Sequence, residues 1–290
     1  MKKLLFIILI CLIYRTTLST PITSPIYIPE SGKILSNLNV GYDKFEFNNK
    51  KALTSYKLST NGLIGIFEIL SLNYNVEYLF HTKNRILNGD VSDSFNAYGI
   101  GLTFRTFKND FNILDIILNV GKDKLLILDT ETTPFFNISL KYGLNFSHYN
   151  TALTFTTEFL DKYVQDLSNA DFQKQNSMRN YILSFENEII ITNTFTIGLD
   201  FLYKWNDEIN NINYSSNSQL LSFYKLKDNF TINTDLNYAI NDNNYIALYY
   251  MFTSLKSKYN YLDSNNTSNN ISNQTNIKYY SFGLKLTTYF

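Results

Sequence analysis

Apolar and polar residues alternate with a period of two through most of this chain. In FNISLKYGLNFS, Phe136, Ile138, Leu140, Tyr142, Leu144 and Phe146 take one parity, and Asn137, Ser139, Lys141, Gly143, Asn145 and Ser147 the other. Successive side chains of a strand point to opposite faces, so the stretch predicts a strand with one greasy face. A helix would spread the same apolar residues around its whole circumference. The pattern recurs over Leu70 to Phe80, Tyr98 to Phe104, Tyr181 to Ile191 and Phe195 to Trp205, the last two separated by the short turn TNT (192–194). Further segments are Leu38 to Phe47, Leu53 to Ile66, Phe111 to Val120, Leu153 to Phe159, Leu220 to Leu226, Phe230 to Ile240, Tyr245 to Ser254 and the terminal run.

Short polar turns are expected at KND (108–110), TNT, KDN (227–229) and NDNN (241–244), and longer Asn/Ser/Asp-rich loops at about 165–178, 206–217 and 257–276. A plain tally gives about thirteen segments, whereas a closed bacterial barrel takes an even number. Residues 52–82 are open to reading as one strand or two, and KLLILDT (124–130) as strand or loop. The expectation is an all-β chain forming a single antiparallel transmembrane β-barrel of about twelve strands, with ten or fourteen as alternatives.

Alternation alone does not say which face meets water. Four features favour apolar out. The segments run about 9–13 residues, the length of a tilted strand crossing a bilayer rather than of a soluble-protein strand. The polar parity carries Glu77, Arg105, Asp115, Lys141, Glu186, Glu188, Asp200, Lys204, Asp235 and Lys285, a mixture suited to a hydrated lumen. Aromatic residues gather near segment ends, as at Tyr203, Trp205, Tyr249 and Tyr250, where interfacial girdles are expected. Connectors divide into short and long. Composition agrees, with 23 Tyr, 23 Phe and only four Pro.

At the start, MKKLLFIILICLIY sets Lys2 and Lys3 before an apolar run about half the length of a spanning helix, which predicts a cleaved signal peptide over 1–20 with the cut between Ser19 and Ser24, and a barrel over 33–290. Cys11, the single cysteine, follows Ile10 where a lipoprotein signal wants a small residue, and lies inside the leader. The mature chain then forms no disulfide. Removing Lys2, Lys3 and Arg15 from 25 basic residues leaves 22 against 25 acidic, a balance that gives no reason to expect nucleic-acid binding.

The last residues, KYYSFGLKLTTYF, put Tyr280, Phe282, Leu284, Leu286, Thr288 and Phe290 on one parity and Ser281, Gly283, Lys285 and Thr287 on the other. This resembles the closing strand of bacterial outer-membrane β-barrel proteins. The resemblance implies that Phe282, Gly283, Leu284, Leu286 and Phe290 form the signal read by the barrel assembly machinery, and that the chain lies in the bacterial outer membrane in contact with its lipid. Thr288 departs from the pattern, where an aromatic or aliphatic residue is commoner. A sheet in lipid leaves no unpaired edge, so the last strand is expected to pair with the first.

Candidate chemistry is sparse. His81 and His148 are the only histidines, and Ser147 beside His148 points to the opposite face. Glu186 and Glu188 share a parity and are read as part of a lumen ladder of ion pairs. No catalytic residue, metal site or cofactor is expected, and the chain is not expected to be an enzyme. The leading expectation is a passive channel for small polar solutes or ions, with a constriction sought among residues 165–178 or 206–217 and homo-oligomerisation left open. The alternative is a barrel anchor that displays its loops for adhesion or structural interaction without an open pore.

Overall fold

The computed structural model describes residues 22–84, 89–91, 93–123, 132–146, 148–161, 163–167, 171–175, 177–206, 211–214, 220–261 and 273–290. The signal peptide, KLLILDT and residues 262–272 lie outside them.

Twelve long strands close into one antiparallel barrel: β1 (Ile34–Phe47), β2 (Lys50–Phe67), β3 (Leu70–Asn84), β5 (Ser94–Lys108), β6 (Asn112–Asp123), β7 (Thr133–Phe146), β8 (Tyr149–Leu160), β11 (Met178–Thr192), β12 (Phe195–Trp205), β14 (Leu220–Asn241), β15 (Asn244–Tyr261) and β16 (Asn273–Tyr289). Four short strands lie outside the wall: β4 (Gly89–Val91), β9 (Tyr163–Leu167), β10 (Asp171–Gln175) and β13 (Asn211–Tyr214). Residues 52–82 thus hold parts of two strands.

The odd thirteenth segment has a physical explanation. KDN has turn chemistry but is no turn, because β14 runs unbroken through it and absorbs the irregularity as a bulge between Leu226 and Asn229. Merging the two segments restores an even count and a consistent direction for every strand. One end then carries only short connections, at 68–69, 109–111, 147–148, 193–194 and 242–243. The other carries the long loops, except where β1 turns into β2 through Asn48 and Asn49, both at positive φ (49° and 64°). That is the geometry of a two-residue hairpin turn matched to the twist of its strands, and Asn tolerates it better than most residues.

The wall closes between β1 and β16, from Leu35 opposite Tyr289 to Phe47 opposite Ile277. Beyond it, Phe290 donates its N–H to the Ile34 carbonyl (2.9 Å) and accepts from the Ile34 N–H (3.2 Å). Phe290 thus extends the seam by one hydrogen-bonded pair, and no edge remains in the wall.

Packing is inverted relative to a soluble protein. Leu38, Val40, Leu58, Ile100, Ile116, Leu140, Leu183, Leu236, Leu248 and Leu284 stand exposed on the outer face, while Asp43, Ser55, Ser71, Asp115, Asn150, Asn180, Glu188 and Ser281 are buried inside. Exposed aromatics flank the aliphatic band, with Tyr56, Tyr98, Tyr181, Tyr203 and Trp205 toward the long-loop end and Phe67, Phe107, Phe111, Tyr238 and Phe290 toward the short-turn end. An apolar band between aromatic girdles around a polar interior is how a barrel meets lipid. Tyr249 corrects one expectation: it belongs to no girdle but points inward, over the Lys57 ammonium (5.9 Å to the ring centroid).

Candidate functional site: a polar interior with a floor

The interior is organised by ion pairs between strands. On β5, Arg105 grips Asp115 of β6 with two bonds, Nε to Oδ1 (2.8 Å) and Nη2 to Oδ2 (2.9 Å). Lys141 of β7 meets Glu186 of β11 (2.7 Å) across the intervening β8, and Lys204 of β12 meets Glu158 of β8 (2.5 Å) across β11. Lys285 of β16 bonds Asp235 of β14 across β15. Lys57 of β2 stands between Asp43 of β1 (3.6 Å) and Glu77 of β3 (3.9 Å). Because strands neighbouring the same strand lie within a long side chain's reach, such pairs brace the wall from within.

All ten charged residues singled out from the polar parity take part in this network or stand beside it. Their partners Asp43, Lys57 and Glu158 escaped the sequence reading. Glu158 shares the inward parity of β8 with Asn150, Thr154 and Thr156, so strict parity would have found it. The five cations face eight carboxylates. Two of the eight have only neutral donors among the described residues. Asp200 accepts from the Asn187 backbone N–H (3.3 Å) and from Asn233 Nδ2 (3.1 Å), and Glu188 from Asn150 Nδ2 (3.1 Å), Thr196 Oγ1 (3.2 Å) and Thr23 Oγ1.

The segment from Ile22 to Lys33 does not join the wall but crosses the interior near the short-turn end, forming a floor. Ile22 packs with Leu35 and Tyr245, and Ile26 with Ile113 and Ala152 on another side of the barrel. The Ile26 carbonyl accepts from Arg105 Nη2 (2.8 Å), and Gly32 and Lys33 bond the backbone of Gly65 (2.8 and 2.9 Å). Tyr27 meets Tyr289 edge to face. Pro25 and Pro29 carry no N–H, so an irregular segment inside the barrel has two fewer donors to satisfy. The wall also makes room for it: a Cβ on Gly65 would lie 2.0 Å from the Glu30 carbonyl oxygen, and one on Gly143 2.4 Å from Ile26 Cγ2.

Two cavities of the interior border the floor. A cavity of about 640 Å³ is lined by Thr23 and Pro25 with Asn37, Asn39, Glu186, Glu188, Asp200 and Asp235 among others. A second, of about 430 Å³, is lined by Pro25 and Tyr27 with Asn73, Asn119, Asp115 and Lys141. Of residues 165–178 and 206–217, where a constriction was sought, the described parts contribute to β9, β10 and β13, which pair with one another and with the outer part of β14, while 168–170, 176, 207–210 and 215–217 lie outside the described residues. His81 lies within β3 toward the long-loop end and His148 in a short turn at the other, so the two do not meet.

A closed twelve-strand barrel with a lipid-facing exterior and a charged interior is the fold of bacterial outer-membrane β-barrels. Comparison with solved structures agrees. An outer-membrane channel from Pseudomonas putida F1 superposes with a TM-score of 0.59 at 11% identity, covering 94% of this chain and 100% of that one. The NanC porin gives 0.50 at 11% identity, covering 87% and 98%. No protein-family profile matches the sequence, and neither does any curated protein.

Proposed function

We propose that the protein is a channel of the bacterial outer membrane for small polar solutes or ions, with a preference for cations. One observation carries the reading: the 640 Å³ cavity beside Thr23 has an amide- and hydroxyl-rich lining in which the carboxylates outnumber the cations. Water and hydrophilic solutes are accepted by such a surface, and unpaired acid in a low-dielectric wall attracts positive charge. The two superposed proteins, a channel and a porin, point the same way. On this reading the ten polar-face charges set the field along the path, and the terminal run ending in Phe290, whose ring is exposed on the outer face, is the signal for assembly.

The floor favours a second reading. A barrel crossed by its own chain could serve as an anchor whose outer strands and loops act at the surface. Single-channel conductance in a planar bilayer separates the two, with Asp200→Asn plus Glu186→Gln as the comparison. The channel reading expects discrete steps whose cation preference falls in the double variant. A folded but silent barrel would overturn it in favour of the anchor.

A further inference from the structure

The two cavities beside the floor differ in charge. The 640 Å³ cavity has Glu77, Glu186, Glu188, Asp200 and Asp235 in its lining against Lys57 and Lys285. The 430 Å³ cavity has only Asp115 and Lys141, and each is already paired, with Arg105 and Glu186 respectively. What it offers instead is amides and an inward aromatic ring. The ring is Phe135. Its neighbour Phe136 faces lipid, 38% exposed and stacked on Phe159 with 6.0 Å between centroids. Phe135 takes the opposite parity and lines the cavity, with no aromatic partner among the described residues. Opposite it on β6 is Gly121, and opposite Gly121 on β5 is Gly99. A Cβ on Gly121 would lie 2.9 Å from Phe135 Cζ, and one on Gly99 3.4 Å. The two missing side chains let the ring lie along the wall instead of standing out into the lumen, one face against backbone and the other turned to the cavity.

Asn75 continues this row on β3. Two residues along the strands, a rise of about 7 Å, the next inward row reads Asn73, Gly101, Asn119 and Asn137. Asn73 donates to the Asn119 carbonyl oxygen (3.2 Å) and accepts from Thr103 Oγ1 (2.9 Å), and the Asn137 carbonyl oxygen has no donor among the described residues. We propose that this cavity binds a neutral polyhydroxylated solute, a sugar of one or two rings, which stacks on Phe135 and is read at its hydroxyls by Asn73, Asn75, Asn119 and Asn137. The C–H face of a pyranose is apolar and weakly positive, the complement of the negative face of an aromatic ring. A carboxamide carries donor and acceptor side by side, so it serves one hydroxyl in either role or two adjacent hydroxyls in both. An aromatic surface with a few placed polar groups is how pockets of this kind orient a small ligand. The paired charges leave no net field that would favour an ion here. Phe135 lies near the long-loop end of β7 and Tyr27 in the floor, so the site has the floor as its base. The proposal goes beyond the channel reading and does not need conduction, since a barrel closed by its floor would hold the sugar equally.

The test is calorimetric titration of the refolded protein in detergent with glucose and with maltose. Phe135→Leu should weaken binding by about tenfold, while Phe136→Leu, the same change on the lipid face, should leave it within about twofold. Asn119→Ala keeps the ring and should weaken binding by about fivefold. Potassium chloride should change the affinity by less than about twofold, because no net charge is neutralised on binding. Failure of the folded wild-type barrel to bind either sugar, equal losses in the two phenylalanine variants, or an affinity that collapses with salt would each overturn the proposal. Should Phe135→Leu fail to refold, Asn119→Ala and the salt series decide the matter. None of these readouts uses conductance, so the sugar site and the pore stand or fall separately.

Discussion

Two points of the floor, Ile26 and Thr23, are fastened by different means. At Ile26 the fastening is complete without the floor: Arg105 and Asp115 neutralise each other in a bidentate pair, and the guanidinium has an N–H left over for the Ile26 carbonyl. At Thr23 the wall offers a carboxylate and two neutral donors, and the floor supplies a hydroxyl. The first corner is a preformed socket that would hold its shape with the segment removed. The second depends on what the segment brings.

Breaking the rigid corner should have the largest effect. Arg105→Met keeps much of the side chain's length but leaves Asp115 buried without a cation and the Ile26 carbonyl without a donor. Removing one partner of a buried pair costs roughly 3–5 kcal/mol. Urea unfolding in vesicles should register that loss, and the surviving folded barrels should show larger conductance steps as the floor loosens. A stability change below about 1 kcal/mol would mean that the corner is hydrated well enough to make the pair dispensable.

Gly65→Ala attacks the floor from the wall side. The added Cβ would sit 2.0 Å from a backbone oxygen of Glu30, which cannot rotate aside as a flexible side chain could. Overpacking of this kind costs typically about 1–3 kcal/mol. Its distinguishing outcome is a floor displaced with Arg105 and Asp115 intact: faster proteolysis of residues 22–33 without loss of the heat-resistant barrel band on a gel. If the barrel band is lost before the segment becomes cleavable, the floor and the wall are one cooperative unit.

What could be read from sequence follows from which interactions have a period. The outer wall repeats every two residues, so β3, β7, β11, β12 and β16 are visible, and the charges on their polar parity with them. β2 fades because Thr60 and Gly62 occupy its outward positions, which hid Lys57. Ion pairing has no period: Lys285 and Asp235 lie 50 residues apart, and only the register brings them together. The floor is aperiodic too, but it left a trace in composition. Three of the four prolines, Pro21, Pro25 and Pro29, fall within nine residues ahead of β1, where a chain that avoids sheet pairing has use for them.

The smallest effect is expected at the conditional corner. Thr23→Val preserves shape and removes only the hydroxyl that Thr23 gives to Glu188. A hydrogen bond to a charged group is worth about 1.5–3 kcal/mol when its loss leaves the charge bare. Glu188 keeps Asn150 and Thr196, so the loss should fall to about 1 kcal/mol, measured as a urea midpoint shift with unchanged slope. A midpoint that does not move would mean that Asn150 and Thr196 hold Glu188 unaided, and that the floor draws its fastening from Ile26 and Gly65 instead.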